Sequence, residues 1–346
     1  MGYGETLEAV RQQFEIYHRL PGEIEVLSSD DAREIDNVLK RAETKRLAVR
    51  KELDKAQIER KPNKNLPSPL FAEEYAAPFV HYVAVERAYA KRSLEQDNLD
   101  EVISSLRYVY CLADELSVSG SLELRTTAAL IRLQMLENAQ LLMLHPHCRR
   151  EHHELLYQIF DDQITRRTTD RVIWVRYREE GKQFFADVVK RGLDNMIAPN
   201  LLKELDDRRA FREYEKAPAE NMAQDQALFQ RLADAVVESC AVPFFQRQPA
   251  LRQLEKELQE QRRATTEPVF SLLLFRDVSS AMRLFAQERS GVETAYFALF
   301  ASLGKPNRQR ALNFLTGNEY EIRLIPNGVM CTYEGNVKPF YVPYRR

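Results

Sequence analysis

The sequence predicts an all-α protein, an antiparallel helical array or bundle closed by a small C-terminal β-hairpin. Three observations carry this expectation. Only 11 glycines occur in 346 residues, so few positions supply the positive φ of tight turns, and long helices are favoured. Apolar residues recur at steps of three and four through most of the chain. Near the end, Asn327-Gly328 separates two short alternating runs, the strongest short-range hairpin signal.

Taken in order, Glu5 to Arg19 reads as a first helix, ended by Pro21-Gly22. Ser29, Asp30 and Asp31 offer N-caps for a long charged helix from about Asp31 to Arg60. Its apolar stripe of Ile35, Val38, Leu39, Leu47, Val49, Leu53 and Ile58 is thin, and its charges read as a solvated face. The stretch "KPNKNLPSPLF" places three prolines between Lys61 and Phe71 and reads as a linker. The expected organisation is therefore a helical segment at 1–60, a linker at 61–77, a main helical domain at 78–304 and a hairpin cap at 305–346.

Pro78 to Leu94 is apolar around most of its circumference, "EQDN" turns the chain, and Leu99 to Leu116 runs back. In that second helix Val102, Leu106, Val109, Ala113 and Leu116 form a buried stripe. Ser119-Gly120-Ser121 breaks the chain before a helix reaching about Leu144. Its face of Leu124, Ala128, Ile131, Met135, Ala139 and Leu142 is widened by Leu130, Leu133, Leu136 and Leu141, which predicts a central position. Helices to about Gln163 and from Thr169-Asp170 to Lys190 follow, the latter ended by Gly192. Arg208–Lys216, Glu220–Glu238 and Pro249–Arg263 come next, then one from about Pro268 to Ser302 with a break expected at Ser290-Gly291. In the hairpin, Tyr320, Ile322 and Leu324 alternate before the Asn-Gly turn, and Val329 and Cys331 follow it.

From about Leu66 onward the chain resembles a family of uncharacterised bacterial proteins, usually the extracytoplasmic part of a membrane-anchored chain. The residues that carry the resemblance are "VHYVAVERAYAKRSLEQDNLDEVISSLRYVYCLADEL", "VFSLLLFRDVSSAMRLFAQERSGVETAYFALFASLG" and "LNFLTGNEYEIRLIPNGVMCTYEGN". The family's proline-rich segment before the hairpin is shortened here to "KPNRQRA". The resemblance implies no activity, and so no catalytic residue. It implies the extracytoplasmic side of a bacterial membrane, with the cytoplasm as the alternative. The family's anchor helix is not in this sequence, so membrane attachment is expected only through such an anchor. Ala88 and Ala90 at a helix contact add a tetratricopeptide-like look by analogy, although that signature is nowhere met in full.

The formal net charge of −2 argues against nucleic acid as the main partner, since counterion release needs a concentrated basic face. No apolar run approaches the roughly 18 residues of a membrane span. Cys111, Cys148, Cys240 and Cys331 are scattered and read as separate thiols. No phosphate-cradling glycine loop, GxSxG elbow or HExxH pair occurs. The acidic pairs Asp161-Asp162, Glu179-Glu180 and Asp206-Asp207 read as solvated surface, because helix neighbours do not share a face. In "RRTTDRVIWVRYR", Arg166, Arg167, Arg171, Arg176 and Arg178 surround Trp174 as an anion groove would. Alternatively Trp174, with Val172, Val175 and Phe185, lies on a core-facing stripe while the arginines pair with Glu179 and Glu180.

The stretch "HPHCRREHHE" at 145–154 holds four of the six histidines. Metal chemistry wants borderline nitrogen and sulfur ligands that converge. With Pro146 as first helical residue, Cys148 and His152 would stand on one face, Glu151 beside them, and His145 or His147 would close from the loop. Against this, Cys148 and His152 share a stripe with Leu155, Leu156 and Ile159, and Arg149 and Arg150 add positive charge. A third reading has this helix start hold a carboxylate or phosphate. The favoured expectation is a polar helix corner, no catalytic or cofactor-binding residue, and a non-catalytic scaffold that binds a protein or peptide partner. The alternative is a metal- or anion-binding protein, possibly hydrolytic, centred on 145–154.

Overall fold

The computed structural model describes residues 11–12, 32–58, 72–118, 122–191, 217–262, 269–275, 278–305, 311–334 and 338–344. Outside the described residues lie most of the first expected helix, the caps Ser29 to Asp31, the prolines of the linker and Ser119-Gly120-Ser121. Gly192, Asp206-Asp207 and the Arg208–Lys216 helix lie outside them as well. The described helices are α1 (Ala32–Ile58), α2 (Ala72–Glu95), α3 (Leu99–Val118), α4 (Leu122–Leu144) and α5 (Arg150–Thr165). They continue as α6 (Asp170–Arg191), α7 (Pro218–Ser239), a 3₁₀ turn (Phe244–Gln246), α8 (Gln248–Gln261), α9 (Val269–Leu274) and α10 (Val278–Ser302). The helices pack as an array with a small antiparallel sheet at the C-terminal end, as the pattern predicts. None of the described helices is long and apolar enough to cross a membrane.

The predicted stripes of α3 and α4 are buried, from Val102 to Leu116 and from Leu124 to Leu142. Leu130 and Leu141 do not widen the α4 face: they are 46% and 48% exposed. α2 starts six residues before Pro78 and runs through it, giving up one backbone hydrogen bond at the proline.

The described core forms one cluster among α1 to α5, the C-terminal half of α10 and the sheet, and another among α6 to α9 and the N-terminal half of α10. α10 is thus shared, with Phe285 and Ala286 in one cluster and Val292 and Ala295 in the other. The expected break at Ser290-Gly291 does not occur. Gly291 instead lets α10 approach α4, since a Cβ there would lie 2.8 Å from Leu136 Cδ1. The break falls earlier, between α9 and α10, and the buried Asp225 of α7 holds the start of α9. Its carboxylate accepts the backbone N–H groups of Phe270 and Ser271, both at 2.8 Å.

Between its two apolar halves α10 buries Glu288, which accepts two hydrogen bonds from Arg167 at 2.5 and 2.9 Å. Ser290 Oγ reaches Asn313 Oδ1 at 3.2 Å, and Tyr320 donates to Glu293 at 2.5 Å.

The charges of α1 are not all solvated. Arg46 and Arg50 are 2% and 7% exposed and enclose Glu86 of α2, which is fully buried. Arg50 donates to both Glu86 oxygens at 2.8 and 2.7 Å, Arg46 Nε lies 3.1 Å away, and Tyr82 adds a bond at 2.8 Å. Glu101 of α3 bonds to both arginines. Burial by itself raises a carboxyl, but the Arg50 hydrogen bonds and the Arg46 charge outweigh it and hold Glu86 below its ordinary value.

The expected hairpin is part of a three-stranded sheet of β1 (Glu321–Ile325), β2 (Gly328–Thr332) and β3 (Phe340–Pro343), in that order. Strand β3 was not legible as a separate run. Its Phe340 and Val342 are buried, with β3 packed against α4 and α10, and Gln140 of α4 pairs with the backbone of Tyr341 through two 2.8 Å bonds. The turn also differs. Ile325 pairs with Gly328, so Pro326 and Asn327 are its central residues, and neither they nor Gly328 has positive φ. Proline presets the first central position. Gly328 is needed because a Cβ would meet the Val342 carbonyl at 2.4 Å.

Replacing Glu86 by Gln removes the buried one of the two carboxylates that Arg46 and Arg50 share. Chemical denaturation should register a loss of about 3–5 kcal/mol. Gly181→Ala pits helix propensity against packing, because a Cβ would lie 1.9 Å from Phe229 Cζ in the second core. The propensity gain of up to about 1 kcal/mol should be outweighed by overpacking of roughly 1–3 kcal/mol, so the variant should unfold at lower denaturant.

Candidate functional site at the histidine corner and adjoining groove

The turn between α4 and α5 spans His145 to Arg149, and α5 begins only at Arg150. Pro146 is therefore not a helical residue, and Cys148 and His152 do not share a helix face. Cys148 is 3% exposed and belongs to the first core with Leu156 and Phe160. His152 Nδ1 accepts the Arg149 backbone N–H at 2.8 Å, taking the place that Glu or Gln fills in a capping box. Its Nε2 faces Asp100 of α3 at 3.8 Å. Glu151 is exposed, and His153 turns inward.

His145 and His147 do converge, on a residue that sequence reasoning missed. Asp97, in the turn between α2 and α3, has φ 58°, a conformation that aspartate tolerates better than most side chains. Its Oδ1 lies 2.9 Å from His147 Nδ1 and 3.3 Å from His145 Nε2. The three residues are the described group whose geometry could hold a metal ion. The local hydrogen bonding of His145 works against that. The His147 backbone N–H donates to His145 Nδ1 at 3.3 Å, so the His145 proton sits on Nε2, facing the carboxylate. A cation here would have to displace that proton and break that bond. As it stands, two imidazoles clamp one carboxylate and tie the α2–α3 turn to the α4–α5 turn. Nothing in the sequence pointed to Asp97, because the three residues meet only through the packing of α2 to α5.

From Asp100 a groove of about 460 Å³ runs between α3 and α5. Ile103 and Tyr110 supply apolar surface on the α3 side, Leu155 and Ile159 on the α5 side, with Gln158, Arg107 and Asp162 among the polar lining. Leu155 is 42% exposed there, while its neighbour Leu156 is buried in the core. The expected common stripe thus divides between core and groove.

The basic run does not form one anion groove. Arg166 bonds to Asp162, Arg167 to Glu288, and Arg178 to Asp234 and Glu179. Trp174 is 1% exposed and packs against Tyr177 and Phe285, whereas Val172 faces out. Glu179 is exposed as expected, but Glu180 is drawn in. Burial pushes its carboxyl up to about 7, against the pull of Arg125 and Arg176.

Compared with protein-family models, curated proteins and solved structures, the chain matches none.

Because Glu180 titrates above its ordinary value of 4.5, the folded state prefers its neutral form. That contribution is complete below about pH 4.5 and is lost as pH rises through about 7. Glu180→Gln should therefore match wild type in thermal melts at acid pH and gain roughly 1–3 kcal/mol above pH 7. Parallel stability curves across that window would contradict the burial of its charge.

Proposed function

We propose that the chain is a non-catalytic binding module whose α3–α5 groove takes an amphipathic peptide segment of a protein partner. The observation that carries this reading is the partly exposed apolar strip of Leu155 and Ile159 inside that groove. Apolar side chains left open in a concave surface between stacked helices are the usual footing for a helix or an extended segment. Arg107 and Arg166 against Asp100 and Asp162 on the same lining would set the segment's direction, since charges at such a rim govern orientation more than affinity. The volume lies within the range of about 300–1,000 Å³ usual for ligand sites.

Metal-assisted hydrolysis centred on 145–154 has less in its favour. His145 and His147 face Asp97 at 3.3 and 2.9 Å, His152 caps α5 and Cys148 packs in the core. Cys111 lines the groove, but among its described lining residues none is a histidine that could activate the thiol.

The test is a displayed random-peptide selection on the wild-type chain, followed by affinity measurement on Leu155→Glu and Ile159→Glu. Both variants change groove residues that are not fully buried, so the fold should persist by circular dichroism. Selected peptides should bind at least about tenfold more weakly, or about 1.4 kcal/mol. Selected peptides that bind wild type and variants equally would place recognition elsewhere and remove the basis for this reading.

A further inference from the structure

The five arginines buried below one-tenth exposure among the described residues are Arg46, Arg50, Arg125, Arg132 and Arg247. Four of them hydrogen-bond to a carboxylate: Arg46 to Glu101, Arg50 to Glu86, Arg132 to Asp114 and Arg247 to Asp170. Arg125 of α4 is the exception. It is 2% exposed, and its Nε, Nη1 and Nη2 all lack a hydrogen-bond partner. Glu180 is near enough to act on its charge, yet makes no hydrogen bond with it.

A guanidinium does not shed its proton under ordinary conditions, so a buried one with no acceptor is held at a cost that the fold must meet elsewhere. Arg125 lines a pocket of about 70 Å³ between α3, α4, α5 and α10, well above the roughly 10–15 Å³ that one water needs. Asp114, Asp170 and Glu288 on its wall are already bonded to Arg132, Arg247 and Arg167. These three acids are thus committed to other cations, and Glu115 completes the acidic part of the wall. Thr168 also lines the pocket just before α6 begins, where helical N–H groups add positive potential. The pocket shares Asp114, Glu115, Gln163 and Arg166 with the groove, so the two adjoin.

We propose that this pocket binds a small oxyanion, a carboxylate or inorganic phosphate, held in the fork of the Arg125 guanidinium. The planar fork presents paired donors at the spacing of two oxyanion oxygens, and such bonds are the strong ones. The site does not rest on the peptide reading, since it is argued from the unpartnered Arg125 guanidinium and not from the apolar strip of the groove.

The experiment is thermal unfolding of the whole chain in acetate, in phosphate and in chloride at equal ionic strength, for wild type, Arg125→Met and Arg125→Lys. Wild type should rise by about 2 °C or more with acetate or phosphate over chloride, and keep rising with the logarithm of anion concentration. Arg125→Met should lose that response while melting above wild type in chloride, because the unpartnered charge is gone. Arg125→Lys should respond less than wild type, having the charge but not the fork. A response to acetate alone would assign a carboxylate, and one to phosphate alone a phosphate. No response beyond chloride in wild type, or an equal response in Arg125→Met, would overturn the site. So would an Arg125→Met variant that melts below wild type in chloride or fails to fold, since the guanidinium would then have a partner inside the protein.

Discussion

The structure depends on one helix serving two cores. α10 gives Phe285 and Ala286 to one apolar cluster and Val292 and Ala295 to the other, and Glu288 and Ser290 between them are polar and buried. Glu288 sits at that crossing, and Arg167, in the loop that leads into α6, grips both of its oxygens. Through this pair the orientation of α6 is set against α10, and so one half of the described array against the other. A buried pair of this kind adds little net stability compared with apolar packing, but it penalises every arrangement that separates the charges. The close approach of α10 to α4 at Gly291 acts at the same place, by leaving room for the Leu133 and Leu136 side chains where a Cβ would crowd them.

The same device recurs at α1. A helix with so few apolar positions has a weak claim on the core by hydrophobic area alone. Arg46 and Arg50 compensate by sharing Glu86 and Glu101 with the two helices that α1 touches. Their stems cover apolar surface, with Arg46 lying 3.7 Å over the Tyr89 ring and Arg50 4.7 Å over Tyr108. Register along α1 is therefore specified by ion pairs, and a slip by one turn would leave both guanidiniums buried without acceptors.

At the outer end of α2 to α5 the polar groups do a different job. Asp97 lies within 3.3 Å of both His145 and His147, and His152 closes the first turn of α5, so two helix-to-helix turns are joined without a covalent link. This rigid corner borders the α3–α5 groove at Asp100, and the groove leads inward to the seam where α10 crosses. Corner, groove and seam pocket line up along α3 and α5 because α3 packs chiefly on α4 and α5 on α10, which leaves their mutual boundary partly open.

The sequence by itself determined the class of fold, the run of helices and the buried stripes of α3 and α4, because 3.6-residue periodicity is a local property that any packing must respect. It also marked the Asn-Gly corner as a turn and the 145–154 stretch as polar. It could not say that the turn would centre on Pro326 and Asn327, since the demand for glycine at 328 comes from the Val342 carbonyl of β3. Nor could it separate Arg46, Arg50 and Arg125 from the many solvated charges, or join Asp97 to His145 and His147. Those assignments belong to the tertiary structure, because charge burial and ligand convergence depend on which residues from distant helices meet. No spacing along one chain records that meeting.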